Sequence, residues 1–437
     1  MRANMYAILL LLTLAGSIAI LLTIYFFLDI HKHMLYRKYT TPEEIINLLG
    51  HSESPSSSIS ELLKARSLAN RRLRHTFNLT NTFVKPETDI HNTFVGRMKD
   101  LIRAQRRRGQ WVDFLHVARQ AFACELNSYV PTEKGFSAAF TDFIQVLTLR
   151  IIVVALLDPD RDIESIDAED LRVSAMLITK LWGISKLKIS STVPLMDAPC
   201  TSPDIDDLTT LNYHLRRLLP DTEKYPNPIN FVIPTWETLW RVVATCLAHV
   251  HENVEFRRVF EELLEDPTSE RFKTTSFDSK LCADWIVSET LRLHPPSRHI
   301  SRSFVVEQPP FLQFVRTLLP RSVSDQLGLA PLIRSEIADV EGIHLSIGIW
   351  GADALEFNPR RWARYTSSLE APTLFAFGYG PLICIGKNWA PMAAALIVGA
   401  ILEGIEREEL EIVGTGIIGG RAGWIGWRVQ SREAFKA

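Results

Sequence analysis

The sequence lacks the signals of several common protein classes. Its five cysteines are widely separated and form neither a C-x-x-C pair nor a zinc spacing, which argues against a disulfide framework and for a reducing compartment. The formal net charge is only −2 and no basic patch stands out, so a nucleic-acid partner is not indicated. No G-x-G-x-x-G motif precedes a helical pattern, so no fused flavin or nicotinamide domain is predicted.

The N-terminal segment is strongly apolar. A run without charged residues extends from Met5 to Leu28, longer than the ~20 residues that a helix needs to span a bilayer. A cleaved signal peptide would have a shorter apolar region followed by a small-residue cleavage site. Here the run ends in an aromatic edge, so residues 5–28 are predicted to be an uncleaved transmembrane anchor.

The charges that flank this run predict its orientation. Lys32, Arg37 and Lys38 follow it, whereas Arg2 alone precedes it. Because cytoplasmic flanks carry the excess of basic residues, the body of the protein is predicted to be cytosolic. The sequon at Asn78 would then remain unglycosylated.

Helical periodicity predominates in the rest of the chain, and we expect one large domain at 61–437 after a linker with one short helix at 29–60. Thr41-Pro42-Glu43-Glu44 has the pattern of a capped helix start, with Gly50 as the stop. Further helices are predicted at Glu61–Arg74, Ile90–Arg108, Phe136–Leu157, Ala168–Lys186, Ile229–Leu264 (broken by Pro234) and Cys282–Leu293. Alternating stretches predict strands at His299–Val306, Ile343–Ile349 and Leu410–Val429. The predicted class is mainly α with small sheets late in the chain (α+β).

The most informative motif lies in the loop Phe377-Gly378-Tyr379-Gly380-Pro381-Leu382-Ile383-Cys384-Ile385-Gly386, directly before a helical pattern that starts at Lys387. A helix N-terminus lowers the pKa of a nearby cysteine, and glycines let backbone N–H groups approach the sulfur. A thiolate held in this way can be the axial ligand of a haem iron. The alternative is a buried structural cysteine, which is the commoner role of a free thiol.

This loop resembles the haem loop of the cytochrome P-450 family, the haem-thiolate monooxygenases. The resemblance implies that Cys384 ligates the iron of haem b, that Phe377 packs against the loop, and that Gly380 and Gly386 shape it. One position departs from the family. Leu382 stands where the family carries a basic residue that pairs with a haem propionate, so the propionates must be neutralised elsewhere.

Two further segments resemble the same family. Glu289 and Arg292 have E-x-x-R spacing, which taken alone is an ordinary surface pair on one helix face. The segment that ends in Pro359-Arg360-Arg361-Trp362 resembles the family's P-E-R-F. The resemblance implies that Arg361 joins Glu289 and Arg292 in a buried charge triad that fixes the segment before the cysteine loop. It also implies that a strand arginine holds a propionate; Arg302 is the first candidate and Arg298 its rival.

The central helix contains Pro234-Thr235-Trp236-Glu237-Thr238, which resembles the family's oxygen-binding A-G-x-[DE]-T. The resemblance implies that Thr238 and Glu237 deliver protons to bound oxygen, while the alternative is a core helix with a capping threonine. Pro234 replaces the small residues that usually make the kink and frees the carbonyl of Asn230.

The N-terminal part departs from the family. The region before Phe77 is short, with neither a proline-rich hinge nor a sheet in evidence. No W-x-x-x-R follows, and His91, Phe94 and Arg97 are only loose substitutes.

Taken together, these motifs predict a membrane-anchored monooxygenase, of the endoplasmic reticulum and of fungal type, that inserts one oxygen atom into a lipophilic small molecule of secondary metabolism. Its electrons would come from a separate NADPH-dependent flavoprotein reductase, or through a small electron-transfer haem protein. Three alternatives remain open: a haem-thiolate isomerase or dehydratase, a truncated non-catalytic haem binder, and a structural membrane protein without haem.

Overall fold

The computed structural model describes residues 36–50, 59–107, 110–129, 135–187, 205–306, 314, 317–318, 320, 332–365, 373–416, 418–421 and 423–432. Helices account for most of these residues, and the strands form two small sheets. The predicted fold class, mainly α with small sheets, is confirmed. The predicted anchor at 5–28 lies outside the described residues.

The first half of the described chain is helical apart from two short strands. Its helices are α1 (Pro42–Gly50), α2 (Ile59–Ala69), α3 (Arg71–Phe77), α4 (Thr88–Arg107), α5 (Gln110–Asn127), α6 (Phe140–Ile152), α7 (Ala168–Leu187) and α8 (Ile205–Leu218). A π-helical turn, Val153–Leu157, extends α6. The predicted helix at 61–74 is therefore two helices, and the one at 136–157 starts later because Ser137–Ala139 is a strand.

The second half contains the central and C-terminal helices. These are α9 (Ile229–Trp236), α10 (Leu239–Val250), α11 (Val254–Glu265), α12 (Ser269–Lys273), α13 (Ala283–Leu293), α14 (Val340–His344), α15 (Ile347–Trp350) and α16 (Ala390–Arg407). The single long helix predicted at 229–264 is thus three helices. The break between α9 and α10 falls at Glu237 and Thr238, after Pro234, which lies within α9.

Each of the two sheets has three strands. In the first, β4 (Leu332–Asp339) lies between β1 (Tyr36–Tyr39), to which it is parallel, and β3 (His299–Val306), to which it is antiparallel. In the second, β6 (Arg428–Ser431) lies between β2 (Ser137–Ala139) and β5 (Leu410–Val413), and both pairs are antiparallel. The expectation that no strand occurs near the N-terminus was wrong, because β1 adds to the edge of β4.

The core is a bundle around α16. This helix packs on α5, α10 and α11, and α6 packs on α5 and α10. Gly399 and Gly404 allow the close approach, since a Cβ would lie 2.8 Å from Leu264 at the first position and 2.6 Å from Phe122 at the second. Both glycines therefore set the spacing of the bundle that supports the cysteine loop.

One helix in the described part of the chain, Phe140–Leu157, is long and apolar enough to cross a membrane by length and composition. Because 89% of it is buried within the protein, it serves as a core helix.

Candidate active site

The backbone around Cys384 folds back on itself. The N–H of Cys384 donates a hydrogen bond to the carbonyl of Phe377 at 2.9 Å, which closes the loop. Gly378 and Gly380 make this possible because their φ angles are +74° and +70°, a region that disfavours residues with a Cβ. The side chain of Cys384 is exposed, whereas Cys246 and Cys282 are buried. The loop thus presents an accessible thiol on a tightly shaped backbone.

The helix after Cys384 begins later than predicted. A 3₁₀ turn, Ile385–Asn388, separates the cysteine from α16, which starts at Ala390. Cys384 is open to solvent on one side, but protein surrounds its sulfur on the others, and this burial raises the pKa of the thiol; the backbone N–H of Gly386 opposes that shift only in part. The expected lowering of the pKa by a helix N-terminus was therefore wrong for the free thiol. A coordinating metal would deprotonate it.

The other loop residues named from the sequence have separate roles. A Cβ on Gly380 would lie 2.8 Å from Cα of Gly50, so the loop rests on the last residue of α1. Gly386 lies beside the thiol, since a Cβ there would be 3.7 Å from Sγ of Cys384. Phe377 is half-buried against the main core, and Leu382 is half-buried in the 3₁₀ turn Gly380–Leu382.

Glu289, Arg292 and Arg361 lie together in a fully buried cluster. Nε of Arg361 lies 2.8 Å from Oε1 of Glu289, and Nη2 of Arg292 lies 2.8 Å from the same oxygen. The backbone N–H of Asn358 and the indole N–H of Trp362 also donate to this carboxylate, at 3.0 and 3.1 Å. With these donors the buried charge is well satisfied, and α13 is fixed to the segment 358–362.

Arg292 also connects this cluster to the cysteine loop. It donates to the carbonyl of His344 at 2.6 Å, and Nε2 of His344 accepts the backbone N–H of Phe375 at 2.9 Å. Burial, and secondarily the charge of Arg292, lowers the pKa of His344 to about 3, so the ring is neutral and can accept this bond. Sequence reasoning missed His344.

Arg302 lies in β3 and is buried. Its Nη1 donates to the carbonyl of Ser301, but its Nε has no partner among the described residues. Burial lowers its pKa to about 10. The rival Arg298 is largely exposed and forms an ion pair with Glu341 at 3.2 Å. Of the two, Arg302 is the cation for which the described residues provide no carboxylate partner.

Arg66 is a second buried cation beside Arg302, and sequence reasoning missed it. Burial, and secondarily the charge of Arg302, lowers its pKa to about 9. Arg66 donates to the carbonyl of Thr82 at 2.7 Å, and Oγ1 of Thr82 lies 2.8 Å from Nδ1 of His91. Two buried guanidinium groups without a carboxylate among the described residues form a site for an anion.

The cation pair and the cysteine loop are neighbours. A Cβ on Gly378 would lie 3.8 Å from Cδ1 of Ile300, which precedes Arg302 by two positions on the same strand. Of the loose N-terminal candidates, only His91 reaches the cation pair. Phe94 packs in the core, and Arg97 donates to the carbonyl of Lys224.

The central helix breaks at Glu237 and Thr238, after the break predicted at Pro234, which lies inside α9. Pro234 has no N–H for the carbonyl of Asn230, and the side-chain amide of Asn81 donates to that carbonyl instead, at 3.0 Å. Glu237 is buried and accepts hydrogen bonds from Arg241, at 2.9 Å, and from Arg421. Thr238 is exposed. The structure therefore places a free hydroxyl directly beside a buried ion-paired carboxylate.

Comparison with known proteins also points to the cytochrome P450 family. Residues 337–411 match the family model described as Cytochrome P450. Two solved structures from strains of Thermus thermophilus share the fold. One is a six-coordinated cytochrome P450 (TM-score 0.55, 13% identity, 90% of this chain and 92% of that one), and the other is CYP175A1 (TM-score 0.56, 14% identity, 91% and 89%). The chain therefore has the fold of these two cytochromes P450, and its segment 337–411 matches the model of that family.

The curated relatives are plant proteins. They include 11-oxo-beta-amyrin 30-oxidase from Glycyrrhiza uralensis (34% identical over 28% of this chain and 21% of that protein) and cytochrome P450 72A397 from Kalopanax septemlobus (32% over 38% and 28%). Cytokinin hydroxylase from Arabidopsis thaliana is 34% identical over 27% of this chain and 20% of its own length. The chain thus matches less than a third of the length of these relatives. These relatives do not support the expectation of a fungal-type member, since all three are from plants.

Proposed function

We propose that this protein is a haem-thiolate monooxygenase that inserts one oxygen atom from dioxygen into a lipophilic small molecule. The observation that carries the proposal is the accessible thiol of Cys384 on a backbone shaped by two positive-φ glycines. When bound there, haem b would supply the activation of dioxygen that the protein's own side chains cannot perform.

The described residues fit such a group. Cys384 would bind the iron through its sulfur, with Gly386 leaving room beside the sulfur. Arg302 and Arg66 would hold the propionates, since both are buried and each has an Nε without a partner among the described residues. This pair compensates for Leu382, which occupies the position where the family has a basic residue.

Two side chains at the helix break support the proposed proton delivery. Thr238 presents an exposed hydroxyl at the helix break, where it can hold a proton donor in place. Glu237 is held by Arg241 and Arg421, so in this proposal it fixes the break between α9 and α10 and the electrostatic field around Thr238. The triad of Glu289, Arg292 and Arg361 positions the cysteine loop through His344.

The remaining parts of the proposal come from the sequence and the relatives. An NADPH-dependent flavoprotein reductase would deliver the electrons, and residues 5–28 would anchor the protein in the endoplasmic reticulum with its body in the cytosol. The domain at 61–437 would act in secondary metabolism; the relative from Glycyrrhiza uralensis is an 11-oxo-beta-amyrin 30-oxidase.

The absorption spectrum of the reduced, carbon monoxide-bound protein tests this function. Thiolate ligation moves the Soret band to a longer wavelength than a neutral ligand does, because the anionic sulfur pushes electron density onto the iron. Turnover that requires the reductase supports the monooxygenase. Turnover without a reductase favours an isomerase or dehydratase, and a protein that binds no haem contradicts the proposal.

A further inference from the structure

A second group of cations surrounds Glu237. We call it the basic cluster: Arg72, Lys186, Arg241 and Arg421. These four residues come from α3, the end of α7, α10 and the segment 418–421, which are far apart in sequence. They converge beside the break that carries Thr238.

Contacts define the shape of the cluster. Arg241 and Arg421 both bind the carboxylate of Glu237. The guanidinium carbon of Arg421 lies 4.6 Å from the ring centre of Trp182, and that of Arg72 lies 5.6 Å from the same ring. Arg72 also donates to Oγ of Ser185 at 2.6 Å. An indole ring and a hydroxyl on α7 thus hold two of the cations in fixed positions.

The charges of the cluster do not balance. Among the described residues Glu237 forms ion pairs with Arg241 and Arg421, whereas Arg72 and Lys186 form none, so the four cations share one ion-paired carboxylate. Burial, followed by the charges of Arg421, Arg72 and Arg241, lowers the pKa of Lys186. A structural ion pair needs one cation for each acid, whereas an excess of like charges is unfavourable unless an anion binds.

The unused hydrogen-bond donors of the basic cluster also indicate that it binds an anion. Nε of Arg421 is buried and has no partner among the described residues. Arg241, by contrast, is fully engaged, since it also donates to the carbonyl of Pro296 at 2.7 Å. Lys186 is exposed, as is Thr238. The cluster is therefore open to solvent at Lys186, and Arg72, Lys186 and Arg421 are the cations that keep hydrogen-bonding capacity for a ligand.

We propose that the basic cluster binds the carboxylate of a lipophilic substrate and holds it beside the break at Thr238. The inference rests on the proposed function, for which it names the substrate class. A planar carboxylate matches the fork of a guanidinium group, and a single negative charge partly neutralises the excess.

Equilibrium dialysis of the holoenzyme with labelled dodecanoate and methyl dodecanoate tests the proposal, because the two probes differ only in charge. We expect dodecanoate to bind at least tenfold more tightly, with an advantage that decreases as salt is added. We expect Arg421→Gln to weaken dodecanoate binding by roughly tenfold or more, the loss typical of a charge-assisted hydrogen bond. Binding of the ester should be unchanged.

Arg72→Gln and Lys186→Gln keep the test decisive if Arg421→Gln fails to fold, since neither residue hydrogen-bonds to Glu237 in the structure. Each should weaken dodecanoate binding several-fold and spare the ester. Lys180→Gln is the matched control, because Lys180 lies on the same helix as Lys186, α7, but forms an ion pair with Asp207 at 2.7 Å. Equal binding of acid and ester, binding of neither probe, or variants that behave like Lys180→Gln would overturn the proposal.

The two proposals fail in different ways. Loss of the thiolate spectrum in the parent protein contradicts the monooxygenase and leaves the dialysis result interpretable. A normal spectrum with no preference for dodecanoate contradicts only the carboxylate site.

Discussion

Nε2 of His344 accepts the backbone N–H of Phe375 at 2.9 Å, in the interior of the protein. The carbonyl of the same histidine accepts from Arg292 at 2.6 Å. His344 therefore joins the buried charge cluster to the first residue of the 3₁₀ turn that leads into the cysteine loop. Because the ring is neutral, it performs this role without a buried charge of its own.

Replacing His344 by leucine should loosen the cysteine loop. The N–H of Phe375 would lose its partner in a buried position, which costs about 1–3 kcal/mol. We expect a lower free energy of unfolding in urea and faster loss of haem to a haem-scavenging protein. His116→Leu is the control, since His116 is exposed on α5. An unchanged rate of haem loss in His344→Leu would show that the bond does not position the loop.

Replacing Cys384 by serine should abolish the thiolate-type spectrum of the reduced, carbon monoxide-bound protein, because a serine hydroxyl does not supply a soft anionic ligand. Cys124→Ser is the control, as Cys124 is a free, partly buried cysteine on α5. If Cys384→Ser keeps the spectrum, another residue is the ligand.

Removing the buried cations should weaken haem retention. We expect Arg302→Ala and Arg66→Gln each to speed haem loss, since each charge-assisted hydrogen bond contributes about 1.5–3 kcal/mol. Arg298→Ala should have little effect because Arg298 is paired with Glu341 at the surface. Leu382→Arg should slow haem loss by adding the cation that the loop lacks. Parent-like rates in all four variants would place the propionates elsewhere.

Replacing Thr238 by alanine should uncouple electron use from product formation. The hydroxyl is exposed at the helix break, so its loss should leave folding and haem content intact while more peroxide forms per NADPH consumed. Thr235→Ala is the comparison, because Oγ1 of Thr235 donates to the carbonyl of Phe231 at 2.7 Å. Equal coupling in Thr238→Ala and the parent would leave Thr238 as a helix residue only.

Glu125 should make the protein less stable as the pH rises. Burial raises its pKa from 4.5 to about 7, although Arg172 and Arg150 oppose the shift. Between these values the unfolded chain is ionised while the folded protein keeps its proton, so the free energy of unfolding falls as the pH rises from about 4.5 to about 7. The full shift corresponds to on the order of 3 kcal/mol.

The variant Glu125→Gln should therefore gain stability relative to the parent at pH ~8 and little at pH ~4.5, since the amide does not ionise. Urea unfolding at both pH values measures this difference. Glu164→Gln, at an exposed position, should show no such dependence. A gain that is the same at both pH values would rule out ionisation of Glu125 as its cause.

Local sequence patterns correctly predicted some helices and strands. They failed where tertiary contacts determine the secondary structure. The strand His299–Val306 and the helix ending at Gly50 follow from alternation and from capping residues, and both are observed. The stretch 343–349 also alternates but forms α14 and α15 instead. There Asp339 caps the N–H of Gly342 at 3.2 Å, and Val340 and Ile343 share one buried helix face.

In the candidate site, too, local motifs were predictable from the sequence, whereas relations that depend on packing were not. The cysteine loop is contiguous in sequence, so its motif was readable, as were Glu289 and Arg292 at helical spacing. Arg66 was missed although its sequence carries a signal. It stands on the same helix face as Leu62 and Leu63, where a charge is unexpected, and all three are buried. Its relation to Arg302 depends on the packing of α2 against β3, which a single sequence does not reveal.

The contact between Gly50 and Gly380 has a consequence for biosynthesis. The cysteine loop rests on the end of α1, yet its own residues leave the ribosome only when most of the chain has been made. Gly50 is thus synthesised early and Gly380 late, so the contact between them forms after the intervening helices exist. Capture of the prosthetic group should accordingly follow the formation of these helices, since the loop that carries Cys384 is supported only once Gly380 reaches Gly50.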